Sequence, residues 1–563
     1  MKNLICALVL TLIVTGSFSQ NNALEKGLDA ITKQAVQGQL EFLASDWTEG
    51  RETGHRGAYI AGDYIASIFK IYGLEPAGDY KHTEVSRSER WAGKKPERYR
   101  SFFQEFNLIK SKPGDCQEFR VISRHKNAVR EVSFNDQTDF SITGASTCGM
   151  QCEAPVVFAG YGYVNEEEGY DDFSGVDING KVIIRLAGFP GIEDTASEAY
   201  KKFHPKGRYG YYYLNRDKDK EARERGAIAI IEEGGPSLQD QWAVNVPFRY
   251  NSENYEGETE RESPYEYRYS LTKDTLKNTL LEIRVTPRVM NYILEGSGIN
   301  PDEYRKRVTR KMKPEPAEIE DKHVFIHTTV VSEIIRARNV IGKIGGKQED
   351  SVIVLGAHYD HLGYHNGYIW NGADDNASGT VGVMTIAKAF QASGQQPEKT
   401  LLFAAWTGEE KGLLGSSYFV DNPPIPLEDI ILNMNFDMIS RDGKEDTLGI
   451  ECRMGYTKSH PSLKEMTDKN NEAYDLGLEM SYWASEGGRG GSDHAPFSVK
   501  GIPFTFFIAG FTPDYHQPTD EASKVNFDKM TKIITLGYIN AWGLANDFNI
   551  KQGSGEMQGP GNN

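Results

Sequence analysis

The chain has 563 residues, 25% of them charged and 39% hydrophobic, a length that suits two to four folding units at roughly 100–200 residues each. Its 80 acids outnumber 63 Lys and Arg, giving a formal net charge of −17. That balance argues against nucleic-acid binding, which needs a basic footprint, and against docking on anionic lipid; it leaves a soluble, acidic, multidomain protein, most often an enzyme.

Residues 1–19 read as an export leader. Lys2 gives a positive start, Leu4 to Val14 an apolar core, and Ser17 to Ser19 a small-residue cleavage site before Gln20. The apolar run falls well short of the ~20 residues of a membrane span, and no later stretch is apolar enough to make one. No Cys at the cleavage point offers a lipid anchor. The expected location is periplasmic or extracellular. Four cysteines remain in the mature chain; a Cys148–Cys152 bridge and unpaired thiols fit equally well, and no CxxC pair suggests structural zinc.

Apolar residues recur at helical spacing from Ile31 to Ala44, and again from Ala58 to Phe69, with Gly73 as a C-cap. Lys81 to Arg100 reads as a solvated loop. Between about 135 and 322 the texture is short strands and turns, including 155–162, 181–186 and 226–231, closed by the charged stretch Asp302 to Asp321. Strict alternation follows. Strands at 339–344, 351–355 and 400–405 flank a helix around Val381–Phe390, which predicts an α/β fold with a mostly parallel or mixed sheet and helices on both faces. The last residues, 551–563, are Gly-rich, polar and expected to be disordered.

Metal-type ligands gather at the C-terminal ends of these strands, where open α/β sheets place their ligands. His358-Tyr-Asp360 ends one strand, with His361 and His365 beyond it expected on the rim. Asp374-Asp375-Asn376 opens a helix, and two adjacent acids there also suit the helix dipole. Glu409-Glu410 follows the next strand, Asp437 ends another, and Tyr515-His516 lies in a loop after Ile502–Ile508. Two His and three carboxylates without Cys suit zinc in an open catalytic site. A bridging carboxylate lets five side chains supply three ligands to each of two ions ~3.5–4 Å apart, and a nearby Glu completes the set as general base. Ser492-Asp493-His494 holds triad residue types, but consecutive residues cannot face one another as a triad must.

The ordered string His358-x-Asp360, Gly372 to Gly379, Glu409-Glu410, Asp437 and His516 resembles the co-catalytic di-zinc aminopeptidase family, over most of residues 331–540. Leu40 to Arg51 is similar to the family's opening segment. The resemblance implies Asp374 as the bridging carboxylate, with His358 and Asp437 on one zinc and Glu410 and His516 on the other. It also implies Glu409 as general base, Asp360 as the partner that holds His358, and Tyr515 as a support for the oxyanion. Residues 135–322 look like the protease-associated insert of that family. The chain then divides into a leader (1–19), a first catalytic part (20–134), the insert (135–322), the main catalytic part (323–550) and a tail (551–563).

The implied activity is release of N-terminal amino acids from peptides with a free N-terminus, by attack of metal-bound hydroxide. Glutaminyl cyclase-like transferases, which use one zinc, di-zinc carboxypeptidases or dipeptidases, and receptor-like relatives without metal are the alternatives. Oligomeric state is not legible.

Overall fold

The computed structural model describes residues 22–125, 128–136, 138–143, 149–205, 210–234, 267–276, 280–365, 367–486 and 491–546. The expected leader, the tail and Cys148 lie outside the described residues. The described chain divides into two compact units, one of residues up to Leu108 and from Ile335 onward, the other between Ile109 and Ile334. The second unit is wider than 135–322 because the strands Phe103–His125 and Ala317–Ile344 run well past those limits.

The first unit is built on four parallel strands: β1 (Gln348–His358), β2 (Lys399–Trp406), β3 (Ile430–Phe436) and β4 (Phe504–Ile508). Their spatial order is β2-β1-β3-β4, so β1 has a parallel neighbour on each side and the order reverses beside it. Residues 340–344 flank β2 antiparallel, and Glu451–Thr457 flanks β4 antiparallel, which makes the sheet mixed. Every residue of β2 is buried, as expected of a strand covered on both faces.

Alternation along β1 explains the two layers. Ile353, Leu355 and Ala357 pack into a core with Val381, Met384 and Ile386 of the helix α1 (Gly379–Ser393) and with Ile533 and Ile534 of the helix Phe527–Asn546. Val352 and Val354 face the other way, against Phe419 of Leu414–Asp421 and Phe497 of His494–Val499. The two early helices, Lys33–Leu43 and Arg56–Ile71, join the first core through Val36, Leu40, Ile65 and Phe69. Lys81 to Arg100 is not an open loop. It carries the helix Arg87–Trp91, started by a Ser86/Glu89 capping box, between the paired strands Tyr80–His82 and Arg98–Arg100 in the chain.

The second unit has its own core and its own parallel centre, Met150–Phe158, Val182–Arg185, Ala229–Glu233 and Leu281–Val285. It is more helical than its sequence texture suggests. The charged stretch after Asn300 is the helix Pro301–Lys311, capped by the Asn300 side chain, with Tyr304 and Val308 buried and Asp302–Arg305 and Glu303–Lys306 pairs on its outer face. Among the described residues no helix is long and apolar enough to cross a membrane.

Candidate metal centre

The sheet delivers its chemistry at one edge. His358 is the last residue of β1, Asp437 follows β3 directly, and Glu409 and Glu410 follow β2 after the two residues Thr407 and Gly408. The segment Ala373–Ser378, which includes a cis Asp375–Asn376 peptide, brings the acidic loop beneath them and runs into α1. Asn376 fixes this loop: its Oδ1 accepts from Gly379 N at 2.8 Å and Met438 N at 3.2 Å, and its Nδ2 donates to the Phe436 carbonyl at 2.9 Å. Gly379 is required by close approach, since a Cβ there would sit 2.2 Å from the Phe436 oxygen.

Asp375, not Asp374, stands between the two halves of the site. Its Oδ1 lies 3.4 Å from His358 Nε2, which is also 3.4 Å from Asp437 Oδ1. Its Oδ2 lies 3.2 Å from His516 Nε2, which is 3.1 Å from Glu410 Oε2. The bridging position expected for Asp374 is therefore one residue late. Asp374 is turned aside by Ser440, whose N–H and hydroxyl donate to its Oδ1 at 2.9 and 2.7 Å, while Asp520 accepts the backbone N–H of both acids.

The other expected residues fall as follows. His358, Glu410, Asp437 and His516 lie in the two halves just described. Asp360 reaches His358 through its backbone carbonyl, 3.1 Å from Nδ1, rather than through its carboxylate, which is 3.8 Å away. That carboxylate instead accepts from Glu409 N at 3.2 Å and Thr53 Oγ1 at 2.8 Å, so Asp360 positions both the imidazole and the Glu409 backbone. Glu409 Oε2 is 3.9 Å from His358 Nε2. The Tyr515 ring stacks on His516 at 3.9 Å between centroids, and burial among the carboxylates raises its phenol and keeps it protonated.

Neither His361 nor His365 lines a rim. His361 is fully buried with Nδ1 2.7 Å from Glu410 Oε1, and it forms a metal-type group with Asp375 and Glu410. His365 is buried and holds the Leu362 carbonyl through Nε2 at 2.7 Å. Ser492, Asp493 and His494 face three different partners, as the geometry of consecutive residues requires. Ser492 Oγ donates to Asp437 Oδ2 at 2.6 Å, Asp493 accepts from Ser416, and His494 stacks on Phe506.

Arg51 was not singled out within its sequence segment, yet it staples the site. Fully buried, it donates to the carbonyls of Leu43, Tyr359, Asn371 and Gly372, and so clamps the two loops that carry His358 and Asp375. Asp520, four residues after His516, was legible only as one acid among many.

The donor set fits divalent metal. His358 Nε2 and Asp437 Oδ1 are buried and have no hydrogen-bond partner, the condition of ligand atoms aimed at a cation. Asp375, Glu409, Glu410 and Asp437 crowd four carboxyl groups into one largely enclosed place, where burial and the neighbouring Glu410 and Asp437 raise Glu409 well above the ordinary value; buried charges of this kind are paired or coordinate metals. Burial opposes charge on His358, but Glu409 and Asp437 outweigh it and raise its pKa well above the ordinary value.

Leucine aminopeptidase 2 of Trichophyton equinum is 40% identical over 168 residues, 29% of this chain and 32% of that one. A glutamate carboxypeptidase 2 homolog of Caenorhabditis briggsae is 30% identical over 220 residues, 36% of this chain and 27% of that one. The chain thus spans about a third of the length of these curated relatives. An aminopeptidase from Aneurinibacillus sp. strain AM-1 shares the fold, with a TM-score of 0.54 at 16% identity, covering 94% of this chain and 98% of that one. The model of peptidase family M28 matches residues 339–537, the stretch that holds His358, Asp375, Glu409, Glu410, Asp437 and His516. With its mixed α/β sheet and candidate ligands at the strand ends, the stretch 339–537 is a peptidase family M28 domain.

Proposed function

We propose that the protein is an exported, zinc-dependent exopeptidase that releases N-terminal amino acids from peptides with a free N-terminus. The observation that carries this reading is Asp375, whose two oxygens each face a separate His–carboxylate pair. His358, Asp375 and Asp437 would hold one zinc; Asp375, Glu410 and His516 would hold the second, with His361 fixing Glu410. Zinc there supplies Lewis acidity, which polarises a carbonyl and acidifies water. Glu409 does the proton work: its carboxylate takes a proton from the attacking water and returns it to the leaving nitrogen as the C–N bond breaks. Asp360 holds the Glu409 backbone for that task. Tyr515, protonated and at the edge of the site, can donate to the oxyanion as it forms.

Glu409→Gln tests the role of the base. It should keep zinc and lower kcat by about 10²–10⁴-fold; full activity would overturn the mechanism. A second reading, a carboxypeptidase or dipeptidase, draws on the similarity to the glutamate carboxypeptidase homolog. Peptides blocked at one end decide between them. An aminopeptidase cleaves the amide-terminated peptide and spares the N-acetylated one, and a carboxypeptidase does the reverse. Cyclisation of an N-terminal Gln without cleavage would mark the transferase instead.

A further inference from the structure

We propose that Cys116, Glu118 and His327, all in the second unit, form a separate transition-metal site suited to zinc(II). Cys116 and Glu118 are two residues apart on the strand Phe103–His125, so their side chains leave the same face. His327 lies on the strand Ala317–Ile344, which pairs with it. The pairing is locked where it matters: Cys116 N donates to Thr329 Oγ1 at 3.1 Å, and that hydroxyl donates back to the Cys116 carbonyl at 3.3 Å.

The three donor atoms form a compact triangle. Cys116 Sγ is 3.3 Å from His327 Nδ1 and 3.7 Å from Glu118 Oε1, and Nδ1 is 4.0 Å from that same oxygen. Ligands around a tetrahedral zinc, with Zn–S about 2.3 Å and Zn–N or Zn–O about 2.0–2.2 Å, stand roughly 3.4–3.6 Å apart. The two sulfur edges need adjustments of a few tenths of an ångström, and the Nδ1–Oε1 edge must close by about 0.6 Å. The second Glu118 oxygen points elsewhere, 3.8 Å from Arg120 Nη2, which leaves Oε1 for the metal.

A sulfur, a ring nitrogen and one carboxylate oxygen select zinc-like ions over calcium or magnesium. Cys116 and His327 are half-buried and Glu118 is exposed, so solvent can deliver the ion and supply a fourth ligand. A thiol nucleophile activated by His327 explains the cluster less well. A thiol–imidazole pair alone leaves the Glu118 carboxylate without a role, whereas a divalent cation among the three donors accounts for Glu118 Oε1 standing 3.7 Å from the sulfur.

Cobalt(II) separates this site from the peptidase centre, whose candidate ligands include no sulfur. Full-length protein, stripped of metal under reductant and titrated with cobalt alone, should develop a near-ultraviolet thiolate-to-cobalt charge-transfer band. Cys116→Ser should abolish the band, and His327→Ala and Glu118→Gln should weaken cobalt binding at this site at least tenfold. Cys152→Ser and Cys452→Ser should leave the band intact. Zinc analysis should give one equivalent less in Cys116→Ser than in the wild-type protein. No band in wild-type protein whose peptidase centre is loaded with cobalt, or a band that survives Cys116→Ser, would overturn the proposal. His327→Ala and Glu118→Gln keep the test open if the serine variant does not fold.

Discussion

Exchanging the two adjacent acids, one at a time, for Asn tests the assignment of the bridging carboxylate. Asp375 addresses both halves of the site, with Oδ1 3.4 Å from His358 Nε2 and Oδ2 3.2 Å from His516 Nε2. Asp375→Asn keeps the volume but removes the charge, and it leaves each half with one His and one carboxylate. Loss of a mere hydrogen-bond partner behind a metal ligand weakens metal binding by about 10–100-fold. Loss of a ligand shared by two ions should exceed about 100-fold at each, or about 2.7 kcal/mol per ion. Asp374→Asn should behave differently. Its amide oxygen can still accept from the Ser440 N–H and hydroxyl, so affinity should stay within about tenfold of the wild type. Zinc content after dialysis and competition with a chromophoric chelator read both variants, with thermal melting to confirm folding. If Asp375→Asn retained zinc as tightly as the wild type while Asp374→Asn lost it, the reading of this loop would be refuted.

Tyr515→Phe retains the ring stacked on His516 but removes the hydroxyl. If that hydroxyl steadies the oxyanion, kcat should fall about 10²-fold with zinc content unchanged; an unchanged kcat would remove Tyr515 from the mechanism. In the second unit, burial raises the Asp172 carboxyl to about 7, although it accepts from Tyr161 N, Tyr163 N and the hydroxyls of Tyr170 and Tyr304. An unfolded Asp titrates near about 3.9, so the folded chain holds the extra proton between those values. The resulting stability is complete below about pH 4 and is lost as pH rises through about 7. Asp172→Asn can keep its oxygen on the two N–H donors and turn its amide toward the tyrosines. The variant should therefore unfold with less pH dependence between about pH 4 and 7, and thermal unfolding with the same pH slope as the wild type would discard this account.

Most of the first unit was legible because one face-by-face rule governs it. Near-continuous apolar runs at 351–355 and 400–405 can bury both faces only inside a helix-covered sheet, and the metal-type residues lie where those runs end. The second unit hid its helices for the opposite reason. Pro301–Lys311 buries only Pro301, Tyr304 and Val308, and the charges that cover its other face mask the 3.6-residue period.

The misplaced bridge shows where local pattern stops. Asp374 and Asp375 have the same chemistry and adjacent positions, and nothing between Gly372 and Gly379 ranks them. The choice is made by groups remote in sequence: Ser440 takes the Asp374 carboxylate, and Asp520 holds both N–H groups. Asp375 is left to face the imidazoles. His361 follows the same logic, since its burial and its contact with Glu410 depend on β1 and β2 ending side by side. Residue types at strand ends identify the chemistry of such a site, whereas the assignment of each ligand depends on hydrogen bonds that close only once the sheet has brought distant segments together.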